Sequence, residues 1–261
     1  MAQSVPLYAG GVVIGEPGGI DGDYDRLHLA SRGIARLRLV AGGRQGHSSL
    51  SDELSTRNAG VDAARLVTEV ADSLAADTSA NVHGLSGWTP TVNTGMAYHG
   101  GVGFGVLTGV MAVDTEVPLL PEMRREDVRE AFTVLVERVS QETGSDLRIE
   151  FDQPPSDWLP ATLVAPSDPL VAEARAACRT VLGTEPTNAV FPGTTDATWF
   201  SAIQGLPSLP ALGPGLLRRA HAAEEWVSIT AVCQAVEIYT HLARTYCSGD
   251  PIPAAHQEIQ R

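Results

Sequence analysis

The sequence predicts an α/β chain in which a β-α-β-β-α-β unit is inserted into a second domain built from the two chain ends. Three observations carry this. Between residues 34 and 152, apolar residues alternate at period two and recur at helical spacing in a regular series. The stretch "QPPSDWLP" at 153–160 then breaks the pattern with linker composition. Strand and helix patterns before residue 34 and after residue 152 share one style, short strands leading into helices. The predicted domains are therefore 1–33 together with 153–261, and 34–152 between them.

The chain opens with "VVIGEPGG" at 12–19. Val12, Val13 and Ile14 read as a strand packed between layers, and Glu16 follows its carboxyl end. Pro17 and the two glycines are expected to close regular structure there. In "IARLRLV", Ala35, Leu37 and Leu39 share one face while Arg36 and Arg38 share the other. The next helix, 57–74, carries Ala63, Leu66, Val67, Val70 and Leu74 on one stripe. Alternation returns in "TVNTGMAY", and after the glycine-rich "HGGVGFG" it resumes in "LTGVMAVD". A second helix over 125–143 places Val128, Ala131, Phe132, Leu135 and Val139 inward, with Gly144 as its cap. "DLRIEFD" closes the unit, whose order is ferredoxin-like.

Beyond the linker, Asp168-Pro169 supplies a cap and first-turn proline for a helix ending at Gly183. "TNAVF" and "LPSLPAL" read as strands, "TDATWFSAI" as a helix start, and Ile229, Val232, Val236 and Leu242 as a closing amphipathic helix.

Composition removes several functions. A net charge of −13 argues against nucleic acid or an anionic membrane as partner. No apolar stretch reaches the ~18–20 residues that span a bilayer, and the N-terminus lacks a signal peptide's basic region. Cys178, Cys233 and Cys247 include no Cys-x-x-Cys, which fits a cytoplasmic protein. All 18 basic residues are arginine. Without lysine, neither a Schiff-base enzyme nor a Walker-type phosphate loop can be built. "GGVGFG" lies in a hairpin and opens no helix, so it is no dinucleotide fingerprint. A serine or cysteine hydrolase finds no Gly-x-Ser-x-Gly elbow and no cysteine in a catalytic turn.

Two stretches hold the candidate chemistry. Glu16 stands at a strand's carboxyl end, where open α/β sheets place ligands, though alone it reads as a solvated turn glutamate. "LGPGLLRRAHAAEEWV" delivers His221 on a loop, followed by Glu224 and Glu225; alone, these read as a solvated histidine and helix-start charges.

Taken in order, four motifs resemble the co-catalytic zinc metallopeptidases and amidohydrolases that include succinyl-diaminopimelate desuccinylase, acetylornithine deacetylase, aminoacylase and glutamate carboxypeptidase. "VVIGEP" resembles the family's strand-end Glu-Pro, and "GRQGHSS" its Gly-x-x-x-His-Ser-Ser. "PGTTDATWF" is similar to its Gly-Thr-Ser-Asp turn, and "GPGLLRRAHAAEEWV" to its Gly-Pro-Gly…Ala-His-x-x-Asn-Glu-Tyr. The resemblance implies an incomplete zinc-peptidase-like α/β domain with a ferredoxin-like lid and dimerisation domain. It implies Glu16 and His221 as terminal ligands of two zinc ions, and His47 as a donor reaching across a homodimer to the oxyanion. Gly193, Thr194, Thr195 and Asp196 then border a small amide or peptide substrate, and Asn58 and Glu225 have structural roles.

The chain also departs from the family pattern. The family's His-x-Asp motif, bridging Asp and Glu-Glu pair precede the Glu-Pro strand, and no counterpart occurs here. Zinc is therefore expected to be weak or absent on this chain alone, with a separate N-terminal half as one candidate partner and a truncated, inactive chain as the expectation. The lid's Asp-x-Arg is Asp114-Thr115-Glu116 here, Gly105 replaces its asparagine and Thr108 its proline. These departures favour the alternative, a non-catalytic dimerising or binding protein. Retention of Glu16, His47, Asp196 and His221 favours an amidohydrolase or peptidase acting on N-acyl amino acids or small peptides.

Overall fold

The computed structural model describes residues 9–53, 57–74, 80–82, 85–88 and 92–248. The chain forms two compact units. Among the described residues, one gathers those up to Arg32, Leu85 and Ser86, and those from Ala161 onward, and the other is built from those within 33–82 and 87–160. The second crossing falls after Pro160 rather than after residue 152, because residues 158–159 still pair with the lid sheet.

In the outer unit, β1 (Val12–Val13) is half-buried. β2 (Pro17–Gly19) follows directly, so Pro17 and its glycines do not end regular structure as expected. Proline is tolerated as a strand's first residue. β3 (Arg26–Ser31) is buried at every position after Arg26. A strand covered on both faces loses the alternation that would reveal it in sequence.

The chain then enters the inserted unit, labelled the lid below after the expectation above, through β4 (Gly33–Gly42), followed by β5 (Gly46–His47) and α1 (Ala59–Ser73). Asn58 caps α1 by accepting the Gly60 amide at 3.0 Å. After β6 (Ala80–Val82) and β7 (Leu85–Trp88) come β8 (Tyr98–Gly100), β9 (Val106–Leu107) and β10 (Val110–Leu119). Most of "TVNTGMAY" is thus not strand; its residues follow β10 through an Asn93–Glu116 bridge and single amide bonds instead. α2 (Arg125–Thr143) ends at Gly144 with φ 67°, the left-handed geometry glycine adopts cheaply. β11 (Asp146–Phe151) and β12 (Trp158–Leu159) complete an antiparallel sheet of order β11–β4–β10–β8, with β12 also against β4. Leu37 and Leu39 of β4, Val113 of β10, Leu66 and Val70 of α1, and Phe132 and Val136 of α2 form one buried core. Burial of an aromatic or aliphatic side chain contributes about 1.5–3 kcal/mol, so this cluster is the lid's main stabilising feature.

Back in the outer unit, β13 (Thr162–Leu163) leads to α3 (Pro169–Leu182), capped by Asp168 through the Leu170 amide at 2.8 Å. β14 (Thr187–Phe191), a short helical segment that includes Trp199–Ile203, β15 (Ser208–Leu209), β16 (Gly213–Leu216) and α4 (Ile229–Tyr246) follow. Three parallel pairings result: β1 with β15, β3 with β14, and β2 with β16. Val12–Val13 and Ala189–Phe191 therefore pair within the chain. A Cβ at Gly213 would strike the Gly15 carbonyl, so only glycine lets β16 close on the Glu16 segment.

Candidate functional site

Glu16 lies between β1 and β2, is exposed, and accepts the Gly213 amide at its carbonyl oxygen at 2.7 Å. That bond ties the Glu16 segment to the strand that feeds the histidine loop. His221 sits on that loop, exposed, with φ 61°. A left-handed non-glycine residue costs about 1 kcal/mol and is held only where its surroundings fix it. Here the Glu225 carboxylate accepts the His221 amide at 3.3 Å, and Arg219 stacks on the Trp226 ring at 5.5 Å. Both contacts span the loop around His221.

One cleft of about 400 Å³ runs between these segments, lined by Gly15 and Pro17 on either side of Glu16 and by Ala220 just before His221. Glu225, Trp226 and Val227 complete the same wall. The fold therefore brings the Glu16 and His221 segments, far apart in sequence, to one cleft.

Gly193, Thr194, Thr195 and Asp196 form the turn directly after β14. Thr195 is buried and its Oγ1 accepts the Ala197 amide at 3.3 Å, while its carbonyl accepts the Thr198 amide at 3.1 Å. The threonine thereby opens the helical segment, and Asp196 is left exposed at its start.

His47 belongs to the lid unit and is exposed at the end of β5, which pairs with β9 through His47 and Val106. Its Nδ1 accepts the Ser49 amide at 3.2 Å. A backbone N–H can only donate, so neutral His47 carries its proton on Nε2. That tautomer leaves Nε2–H free as a donor.

The lid departures have a structural consequence that the sequence reading missed. Asp114 and Glu116 stand directly opposite Arg38 and Arg36 in the β10–β4 register. Arg38 Nε donates to Asp114 Oδ1 at 2.8 Å and Arg36 Nε to Glu116 Oε1 at 3.2 Å. His99 Nε2 also meets Asp114 Oδ2 at 2.8 Å. These bonds to His99 and Arg38 hold the Asp114 carboxyl below its ordinary range. Glu116 is thus matched by a cation on the neighbouring strand. Charge alternation on both strands was the available signal.

In the outer unit, a carboxylate segment and a histidine loop thus meet at one cleft. The chain belongs to peptidase family M20/M25/M40, whose model matches residues 6–245. None of the curated proteins matches it by sequence. Its structure is similar to the di-peptidase Dug1p from Saccharomyces cerevisiae, with 14% identity, a TM-score of 0.71, and coverage of 91% of this chain and 59% of that one. It is also similar to human carnosine dipeptidase 1, with 14% identity, a TM-score of 0.65, and coverage of 89% and 58%. The M20 family metallo-carboxypeptidase Sso-CP2 from Sulfolobus solfataricus gives 17% identity, a TM-score of 0.63, and coverage of 91% and 64%. The chain thus spans between 58% and 64% of the length of these three structures.

Among the described residues, no group of three or more His, Cys, Asp and Glu side chains is placed to hold a metal ion. A catalytic zinc takes three protein ligands, so Glu16 and His221 do not form a closed site by themselves. Among the described residues, no helix is long and apolar enough to cross a membrane.

Proposed function

We propose that this chain is the larger part of a zinc-dependent amidohydrolase or peptidase that acts on N-acyl amino acids or small peptides. The observation that carries the reading is the cleft whose walls flank both Glu16 and His221. In this reading each supplies one terminal ligand of a two-metal site, and the remaining ligands and the general base come from a further segment. His47, with Nε2–H free, is the donor that meets negative charge developing on the scissile carbonyl oxygen. The Gly193–Asp196 turn borders the substrate.

A homodimer through the lid belongs to the same reading. β8 is the edge strand of the lid sheet, and Tyr98 and Phe104 near it are exposed. An unpaired edge flanked by apolar side chains is a template for a second copy. Sedimentation at micromolar concentration is expected to give a dimer, and a monomer alone would contradict this part.

A second reading, a dimerising or binding protein descended from the family, draws support from the lid ion pairs Arg36–Glu116 and Arg38–Asp114, which engage charges on the helix-free face. Amine release from a panel of N-acyl amino acids and dipeptides separates the two. The chain is assayed with zinc, alone and co-produced with a segment carrying the missing ligands. Hydrolysis in the combined sample that is lost in Glu16→Ala supports the hydrolase. Hydrolysis in neither sample supports the binding protein.

A further inference from the structure

We propose that Arg219 and Trp226 are a positioning pair, a clasp across the loop that aims His221 into the cleft. The proposal rests on the hydrolase reading above, in which His221 is a metal ligand, and deepens it by naming what holds that side chain in place.

His221 occupies a backbone position that disfavours it. The Ala222 amide donates to the Arg219 carbonyl at 3.3 Å and closes a four-residue turn. Ala220, the first central residue, has φ −63° and ψ 138°. His221, the second, has φ 61°. A type II turn has this signature, and its second central position ordinarily goes to glycine or asparagine. A histidine there carries a Cβ penalty, so the turn persists only where its surroundings over-determine it.

Contacts on both sides of the turn supply that constraint. Before it, Arg218 Nη2 meets Asp21 Oδ1 at 2.8 Å, which fastens the approach to the segment after β2. After it, the Glu225 carboxylate accepts the His221 amide at 3.3 Å. Arg219 joins the two sides. Its guanidinium carbon lies 5.5 Å from the centre of the Trp226 ring, within the range of a cation–π contact. Arg219 therefore acts twice, its carbonyl inside the turn and its side chain reaching past it. The clasp brackets residues 220–225, and a loop closed over so short a span has few arrangements left. Arg219 and Trp226 are both exposed, so their contact adds little to the core and acts on the loop instead. Trp226 also lines the cleft that Gly15 and Pro17 border, which places the clasp on the site's own wall.

The test follows the His221 imidazole resonances by NMR in the metal-free full chain, assigned by their absence in His221→Gln. Arg219→Gln and Trp226→Ala are expected to shift them, with the His47 resonances unmoved and melting temperatures close to wild type. Arg219→Gln leaves the ring in place, so a shift there reports movement of the loop. Arg219→Lys and Trp226→Phe keep a cation and a ring, and are expected to restore the wild-type positions. In the sample combined with the segment carrying the missing ligands, competition with a chelator reads zinc affinity. Arg219→Gln and Trp226→Ala are expected to weaken one of two ions by about 10–100-fold and to spare the other, and the double variant to lose no more than either single one. If Trp226→Ala does not fold, Arg219→Gln decides the matter. The proposal is overturned if the His221 resonances stay in place in Arg219→Gln, or if Arg219→Lys and Trp226→Phe both fail to restore them. Shifted resonances with unchanged zinc affinity would remove the hydrolase reading and keep the clasp. Unmoved resonances with zinc retained would overturn the clasp and keep that reading.

Discussion

His47 accepts the Ser49 backbone N–H at Nδ1 over 3.2 Å, and the Ser49 hydroxyl lies 3.0 Å from the same nitrogen. The two contacts fix the ring and leave Nε2 as the donor. If that proton meets the oxyanion, His47→Ala in the completed enzyme lowers kcat by about 10²–10³ while KM changes little. Ser49→Ala removes the hydroxyl but keeps the amide, so its effect is smaller. Steady-state kinetics on both variants, with matched melting temperatures, check this.

Asp62 is 3% exposed and its carboxylate receives Arg57 Nε and Nη2, both at 2.9 Å. Arg57 also donates to the Thr143 carbonyl at 2.5 Å, which ties the start of α1 to the end of α2. Because Arg57 is 37% exposed, Asp62→Ala is expected to cost about 2 kcal/mol, below the range for a fully buried pair. Arg57 holds the Asp62 carboxyl below its ordinary value. The pair's contribution is thus complete above about pH 4 and is lost as pH falls through the lowered folded-state value. Urea unfolding at pH 7 and at pH 3, on wild type and variant, reads both effects.

His28 is fully buried, donates from Nε2 to the Gly18 carbonyl at 2.9 Å, and stands edge-on to Phe191 at 5.3 Å. Burial lowers its pKa. The unfolded chain then binds the proton more readily, so stability falls as pH drops below about 6.5. His28→Gln, which keeps a donor and cannot charge, flattens the dependence. Melting curves between pH 5 and 8 show whether the wild-type slope exceeds the variant's.

Arg36 and Glu116 form a cross-strand pair with side chains 41% and 26% exposed. A double-mutant cycle is expected to give a coupling of about 0.2–1 kcal/mol, reduced by salt. Exchanging the two charges, Arg36→Glu with Glu116→Arg, restores most of what either single reversal loses. A coupling of zero would make the pair incidental to the lid's stability.

Much of the lid was legible because its elements are amphipathic. α1 and α2 carry their buried stripes where period 3.6 places them, and Asn58, Asp168, Gly144 and Gly183 cap the helices as their chemistry predicts. β3 was not legible, since "RLHLAS" is buried on both faces and does not alternate. β2 and β16 were hidden for a different reason: proline and glycine normally end strands, but here the glycines' lack of a side chain allows close approach. At the site, the strand-end carboxylate and the loop histidine could be named from residue type and order. Their convergence on one cleft depends on the parallel β2–β16 pairing, a long-range contact that no local pattern encodes.

The most direct test of the account is zinc per chain, measured by elemental analysis after dialysis against a weak chelator. The chain is taken alone and together with a segment carrying the missing ligands, in wild type, Glu16→Ala and His221→Ala. Little zinc is expected on the chain alone, close to two ions on the combined wild type, and a clear loss in each variant. Two zinc ions retained by both combined variants would show that Glu16 and His221 are not metal ligands, and would contradict it.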